Sequence, residues 1–207
     1  PLAGDLDGHV LVAQTIARGG ASRGWVDAVA SGFPLGYHYP PLGFGVLAAL
    51  LRIGLSPARA VSLVALFAWI VPPLVVVEVS RVRRVHPCAA LLGALFLLAV
   101  EPFSSFVTAW TVVARRGLVS QALGGAFSAL WMGSTLHPRG RLLGALAALA
   151  LVASHPQIFA ATTAALGLLG VAALDRAFLL RPLATAAPAA LTALLLYGPG
   201  LQTLHAP

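Results

Sequence analysis

The stretch that decides the fold is Ala60-Val-Ser-Leu-Val-Ala-Leu-Phe-Ala-Trp-Ile-Val-Pro-Pro-Leu-Val-Val-Val-Glu-Val79, followed at once by Arg81-Val82-Arg83-Arg84-Val85-His86. A helix needs roughly 20 mainly apolar residues to cross the hydrocarbon core of a bilayer, and this run supplies them. The arginines behind it mark that end as the one kept in the cytoplasm, because short loops rich in Arg are retained there. Pro72-Pro73 predicts a kink, since each proline withdraws a backbone N–H from the helical ladder.

The rest of the chain is written in the same manner. Its 207 residues are 59% hydrophobic and 9% charged, with a formal net charge of +7 and a mean hydropathy of +0.91. A soluble domain is about 45–50% apolar and about 25% charged, and one of this size cannot hide so much apolar surface in a single core. The fold class expected is all-α, a polytopic transmembrane helix bundle. Every basic residue is an arginine, scattered between apolar runs. That pattern suits a GC-rich bacterial genome and membrane topology, and it argues against a nucleic-acid partner. The lone cysteine, Cys88, excludes a disulfide within the chain and a thiolate metal site.

Further spans are expected at Pro87–Val100, Leu118–Ser134, Leu142–Ala153, Gln157–Leu174 and Pro182–Tyr197. A polar, aromatic loop lies over Glu101–Gly117, a helix break at Ser154-His155-Pro156, a polar link from Asp175-Arg176 to Arg181, and a stop at Gly198-Pro199-Gly200. The arginine-bearing loops at 80–86, 135–141 and 175–181 alternate along the chain, so all three can face the cytoplasm. The loops at 101–117, 154–157 and 198–207 then face outward. Arg115 and Arg116 lie on that outer side against the topological preference, and binding an anionic group would account for them.

Pro41–Leu55 is apolar but short of a full span. If it crossed the membrane, Arg81, Arg83 and Arg84 would be driven outside. Residues 1–58 are therefore read as one long outer loop carrying two interfacial helices, and residues 59–207 as a bundle of about six helices. The first interfacial helix is expected over Gly8–Arg18, with Asp7 as N-cap and Gly19-Gly20 as its stop. The chain starts at Pro1 already in a loop, as expected of a fragment whose first helix and C-terminal half lie elsewhere.

The chemistry-bearing residues concentrate on the outer side. Asp5 and Asp7 are candidates for a general base at the membrane surface. Capping explains Asp7 without catalysis, and it explains Asp5 poorly. His9 and His38 could join the acids around a divalent ion, but the spacing matches no metal signature and no metal site is assigned. Hydrogen bonding to a carboxylate for His9, and contact with substrate or headgroup for His38, are the simpler roles. Tyr37, Tyr39 and Trp25 suit interfacial anchoring. Arg115 and Arg116 suit a phosphate, which a guanidinium grips bidentately at any relevant pH. His155 is an ionisable group at a helix break, where it either serves a site or caps the break.

Taken in order, an acid near the start of the first outer loop (Asp5), then His9, Trp25, the run Gly32-Phe33-Pro34-Leu35-Gly36-Tyr37-His38-Tyr39-Pro40-Pro41-Leu42, the outward arginines 115 and 116, and the helix-break His155 resemble the N-terminal half of a GT-C membrane glycosyltransferase. Closest in character are bacterial membrane proteins labelled 6-pyruvoyl-tetrahydropterin-synthase-related. The resemblance covers nearly the whole chain in layout. It implies transfer of a sugar from a polyprenyl-phosphate donor at the outer face of the bacterial cytoplasmic membrane, with no confident cofactor. Asp5, or else Asp7, would be the catalytic carboxylate. His9, Tyr37, His38, Tyr39, Arg115, Arg116 and His155 would line the substrate site. A second acidic motif is missing from the 101–117 loop, which puts metal dependence in doubt. A multi-pass transporter or lipid flippase, built on the Pro72-Pro73 kink and the broken helix at His155, is the alternative, and a non-catalytic scaffold the third.

Overall fold

A computed structural model describes residues 6–19, 24–26, 33–35, 40–99, 119–137, 140–172 and 176–203. The described chain is helical apart from one short antiparallel ribbon, so the all-α reading holds. Its helices are α1 (Leu6–Ala17), α2 (Pro41–Arg52), α3 (Pro57–Val82), α4 (Pro87–Ala99), α5 (Val119–Leu136), α6 (Arg141–Ser154), α7 (Pro156–Ala172) and α8 (Arg176–Thr203). The ribbon, β1 (Gly24–Val26) paired with β2 (Phe33–Leu35), places Trp25 opposite Pro34. It lies between α1 and α2 in sequence, and the sequence reading did not foresee it.

Proline sets most of the helix starts. Pro41, Pro57, Pro87 and Pro156 each occupy the first helical position, where the missing N–H would have had no helical partner and the fixed φ already suits the helix. Before α3, α4 and α7 the residue in front supplies a side-chain cap, whereas Pro40 before α2 supplies none. Ser56 Oγ accepts the Arg59 N–H at 3.4 Å, His86 Nδ1 accepts the Cys88 N–H at 3.3 Å, and His155 Nδ1 accepts the Ile158 N–H at 3.4 Å. The other signals are looser. α1 begins at Leu6, two residues before the expected start, so Asp7 stands in the first turn and not at the N-cap. The link expected over 175–181 is helical from Arg176. It contains charges but no turn residue, and Ala, Phe, Leu and Arg all continue a helix. The helix also runs through Gly198-Pro199-Gly200 to Thr203; Pro199 removes one rung of the ladder without ending it.

The contacts give the direction of each helix. Phe67 meets Phe127, with ring centroids 5.8 Å apart, and Val75 and Val79 meet Gly133, so α3 and α5 run parallel. Ser128 bonds Thr162 at 2.7 Å and Gly124 meets Ile158, so α7 is parallel to α5 as well. Trp131 donates to Thr185 at 2.8 Å and the Tyr197 hydroxyl donates to the Val152 carbonyl at 3.0 Å. Thus α8 runs back beside α6. The turns bearing Arg81, Arg83, Arg84 and Arg141 therefore gather at one end of the bundle, and the starts of α3, α5 and α7 at the other.

Two cores hold this arrangement together. The first joins α1, α2, the first half of α3 and the first half of α5, around Leu6, Ile16, Phe44, Leu47, Val64 and Leu123. The second joins the rest of α5 to α6, α7 and α8, around Trp131, Leu151, Val152 and Leu166. Helix α5 belongs to both. Gly133 lets α3 approach α5 closely, because a Cβ there would collide with the Val75 side chain.

The outer surface of the bundle is apolar. Leu74, Leu92, Phe96, Leu142, Leu168, Leu183 and Leu195 are among many large side chains more than half exposed. Helix α3 is long and apolar enough to cross a membrane, at 26 residues, or about 39 Å at roughly 1.5 Å per residue. Only 33% of its most apolar window is buried.

Candidate functional site

The end of the bundle opposite the arginine turns is capped by α1 and α2. His9 and Phe44 pack near the starts of these two helices, ring centroids 5.1 Å apart. Near their ends the Arg52 guanidinium donates to the Ile16 carbonyl at 2.8 Å and the Ala17 carbonyl at 3.3 Å. The two helices therefore lie side by side and parallel, and the β-ribbon sits in the return between them. Arg52 caps the last turn of α1, where orphan carbonyls and the negative end of the helix dipole favour a cation. This arginine has a structural reason to sit away from the arginine turns.

Asp7 is exposed in the first turn of α1, where the positive end of the helix dipole stabilises a carboxylate. His9, two residues further on, is 5% exposed and packs against Phe44 of the first core. Asp7 and His9 therefore lie on opposite faces of α1, one open to solvent and the other packed inward. The expected bond between His9 and a carboxylate cannot come from Asp7 as α1 stands.

Beneath α2 lies the start of α5. Ser120 packs against Gly43. It is 5% exposed, and its Oγ is buried with no hydrogen-bond partner among the described residues. Its place beside the cap marks it as a buried polar group the sequence reading missed. Nothing in its surroundings, Val119-Ser120-Gln121, signalled it.

His155 stands at the same end, at the turn between α6 and α7. Its Cβ lies 2.8 Å from where a Cβ on Gly124 would be, so only glycine at 124 lets the turn settle on α5. Burial pushes its imidazole below the ordinary 6.5, which keeps it neutral and leaves Nδ1 free to cap α7. At the opposite end of the bundle His86 Nδ1 likewise accepts a bond from the first turn of α4. At positions 86 and 155 a histidine before proline is thus a capping device, and the capping role of His155 is the one seen.

Asp5, Tyr37, His38, Tyr39, Arg115 and Arg116 lie outside the described residues. Of the expected site, the structure brings Asp7, His9 and His155 to one end of the bundle. No group of three or more His, Cys, Asp or Glu side chains converges among the described residues.

A second feature was not expected from the sequence. A cleft of about 440 Å³ opens between α3 and the α5–α6 turn at the arginine end, lined by Val71, Leu74, Val75, Val79, Leu130 and Leu143, with Glu78, His137 and Gly140 at its polar margin. Its volume falls in the range of about 300–1,000 Å³ usual for small-molecule sites. No family model, curated protein or solved structure matches the chain.

Proposed function

We propose that this chain belongs to a polytopic membrane glycosyltransferase of the GT-C type, which moves a sugar from a polyprenyl-phosphate donor to an acceptor at the outer face of the bacterial cytoplasmic membrane. The observation that carries this reading is the α1–α2 pair. Two short parallel helices, with a carboxylate exposed in the first turn of α1, close the end of the bundle away from the arginine turns. That is the arrangement expected of an outer loop presenting an acid to a lipid-linked substrate.

Membrane embedding is supported by the outward surface. Monomeric soluble proteins rarely expose contiguous apolar patches beyond a few hundred Å², whereas here α3, α4, α6, α7 and α8 all turn Leu or Phe outward. Arginine turns at one end supply the cytoplasmic side. In the mechanism proposed, Asp5 or Asp7 removes the proton of the acceptor hydroxyl or amine as it attacks the sugar. Arg115 or Arg116 stabilises the charge developing on the departing phosphate. Coupled transport has less support. The buried polar side chains within the described spans are serines and threonines, and ion-coupled pathways call for ionisable groups at membrane depth.

The test is sugar transfer by the full-length protein from a polyprenyl-phosphate-sugar donor, with Asp5→Asn, Asp7→Asn and the double variant. Loss of the base lowers the rate about 10²–10⁴-fold. Undiminished transfer by the double variant would refute the carboxylate assignment.

A further inference from the structure

The cleft beside α3 has a shape and a charge pattern that select one occupant. Its wall along α3 runs from Val71 to Val79, about 12 Å at roughly 1.5 Å per residue. One leaflet of the hydrocarbon core is about 15 Å deep, half of the roughly 30 Å total. The wall is somewhat shorter than one leaflet, aliphatic at Val71, Leu74 and Val75, with Glu78 toward the arginine end.

Glu78 at that margin is already engaged. The Arg81 guanidinium clasps its carboxylate, Nε to Oε2 at 3.1 Å and a second nitrogen to Oε1 at 3.2 Å. With this acid neutralised, Arg83, Arg84 and Arg141 remain at the α3 and α6 ends, and all three are exposed. Arg84 is held there at a backbone cost. Helix α3 ends in a Schellman turn, with Val85 N–H on the Ser80 carbonyl and Arg84 N–H on the Arg81 carbonyl. The turn requires a left-handed residue, and Arg84 supplies it at φ 56°. Helix α2 closes with the same pair of bonds, from Leu55 to Leu50 and from Gly54 to Leu51. There the left-handed position is taken by Gly54 at φ 89°. An arginine kept where glycine serves better is strain of the kind that points to a function.

We infer that this cleft holds an acyl chain of an anionic phospholipid from the cytoplasmic leaflet, with the lipid phosphate among Arg83, Arg84 and Arg141. Basic pockets between spans on that side suit such headgroups. The inference rests on the membrane-embedded reading but not on glycosyl transfer.

The experiment uses the full-length protein in vesicles of equal parts phosphatidylcholine and phosphatidylglycerol. Resistance to an alkaline carbonate wash is scored first, and release of the protein overturns the embedding and this inference together. The retained protein is then extracted gently and its bound lipids are counted by native mass spectrometry. Phosphatidylglycerol is expected in excess by at least about fivefold, the factor given by the roughly 1 kcal/mol that a single arginine near the surface contributes. Arg83→Gln, Arg84→Gln and Arg141→Gln combined abolish the excess. Leu143→Trp, which fills the cleft from an exposed position, lowers retention of both lipids. A photoreactive residue in place of Leu74 is expected to crosslink to lipid. Equal retention of the two lipids, variants that match the parent, or a crosslink from position 74 to protein would each overturn the inference while leaving the embedding intact.

Discussion

Replacing Thr185 with valine tests whether α8 docks on α5 as described. Trp131 is fully buried, stacked on Phe159 with ring centroids 5.3 Å apart, and its indole N–H donates to Thr185 Oγ1 at 2.8 Å. Thr185 in turn donates to the Pro182 carbonyl at 2.9 Å. Thr185→Val keeps the volume and removes the acceptor, so a buried indole N–H loses its partner at a cost of about 1–3 kcal/mol in a water-referenced protein. In a bilayer the unfolded helices also find partners, and interhelical bonds average about 0.6 kcal/mol with a ceiling near 1.7. Trp131→Phe removes the donor and some volume, but Thr185 keeps its bond to Pro182. The double variant should therefore cost less than the sum of the singles, with a coupling of about 0.6–1.7 kcal/mol. Equilibrium unfolding of the full-length protein in mixed micelles, as the denaturing detergent fraction rises, measures all four corners of the cycle. Additivity to within about 0.3 kcal/mol would show that the bond, and with it the register of α8, is not as described.

Three further outcomes are expected. Cys88 is exposed at the start of α4 on the arginine side, and Gly45 is exposed on α2 with open space around its Cβ position. An impermeant maleimide should therefore label Gly45→Cys in intact cells in a Cys88→Ala background, and label native Cys88 only after permeabilisation; the reverse pattern would invert the topology. Desolvation lowers the His155 pKa below 6.5, so its neutral form suits the fold at higher pH, and the associated stability is lost as pH falls below 6.5 toward the depressed value. Thermal unfolding between pH 7.5 and 5 should show that decline, and His155→Asn, which can still cap α7, should flatten it; an unchanged slope in the variant would place the titrating group elsewhere. Arg84→Gly relieves a left-handed residue worth about 1–2 kcal/mol, less about 0.5–1 kcal/mol of glycine entropy. A net gain of up to about 1.5 kcal/mol is expected in the same unfolding assay, and a clear loss would contradict the strain.

The parts of the fold that were legible are those where the local signal needs no partner. Apolar runs placed α3 through α7 to within a few residues, because that feature acts inside one helix; of their proline starts only Pro87 was read as one, and Pro57 and Pro156 were passed over. Charge was less informative. Arg176 and Arg181 suggested a link, yet a charge does not break a helix unless a turn residue accompanies it. The start of α1 was displaced by two residues, and this matters for the site. The separation of Asp5 from Asp7 relied on Asp7 being the cap, and Asp7 stands inside the first turn instead. Ser120 and the cleft were invisible for another reason. Both arise where α5 meets α2 or α3, and a single chain read in order carries no record of which helices become neighbours.

Pro72 and Pro73 sit inside α3 between its two duties. Before them, Ala60, Val64, Ala65 and Ala68 belong to the core under the α1–α2 cap; beyond them, Leu74, Val75 and Val79 wall the cleft. Two absent rungs in the ladder make this the softest point of the helix. Helix α3 is thus divided by its own chemistry into two segments, the first packed under the cap and the second against Gly133 of α5. The prolines are therefore the point at which the segment beside the cleft can bend relative to the segment anchored in the first core.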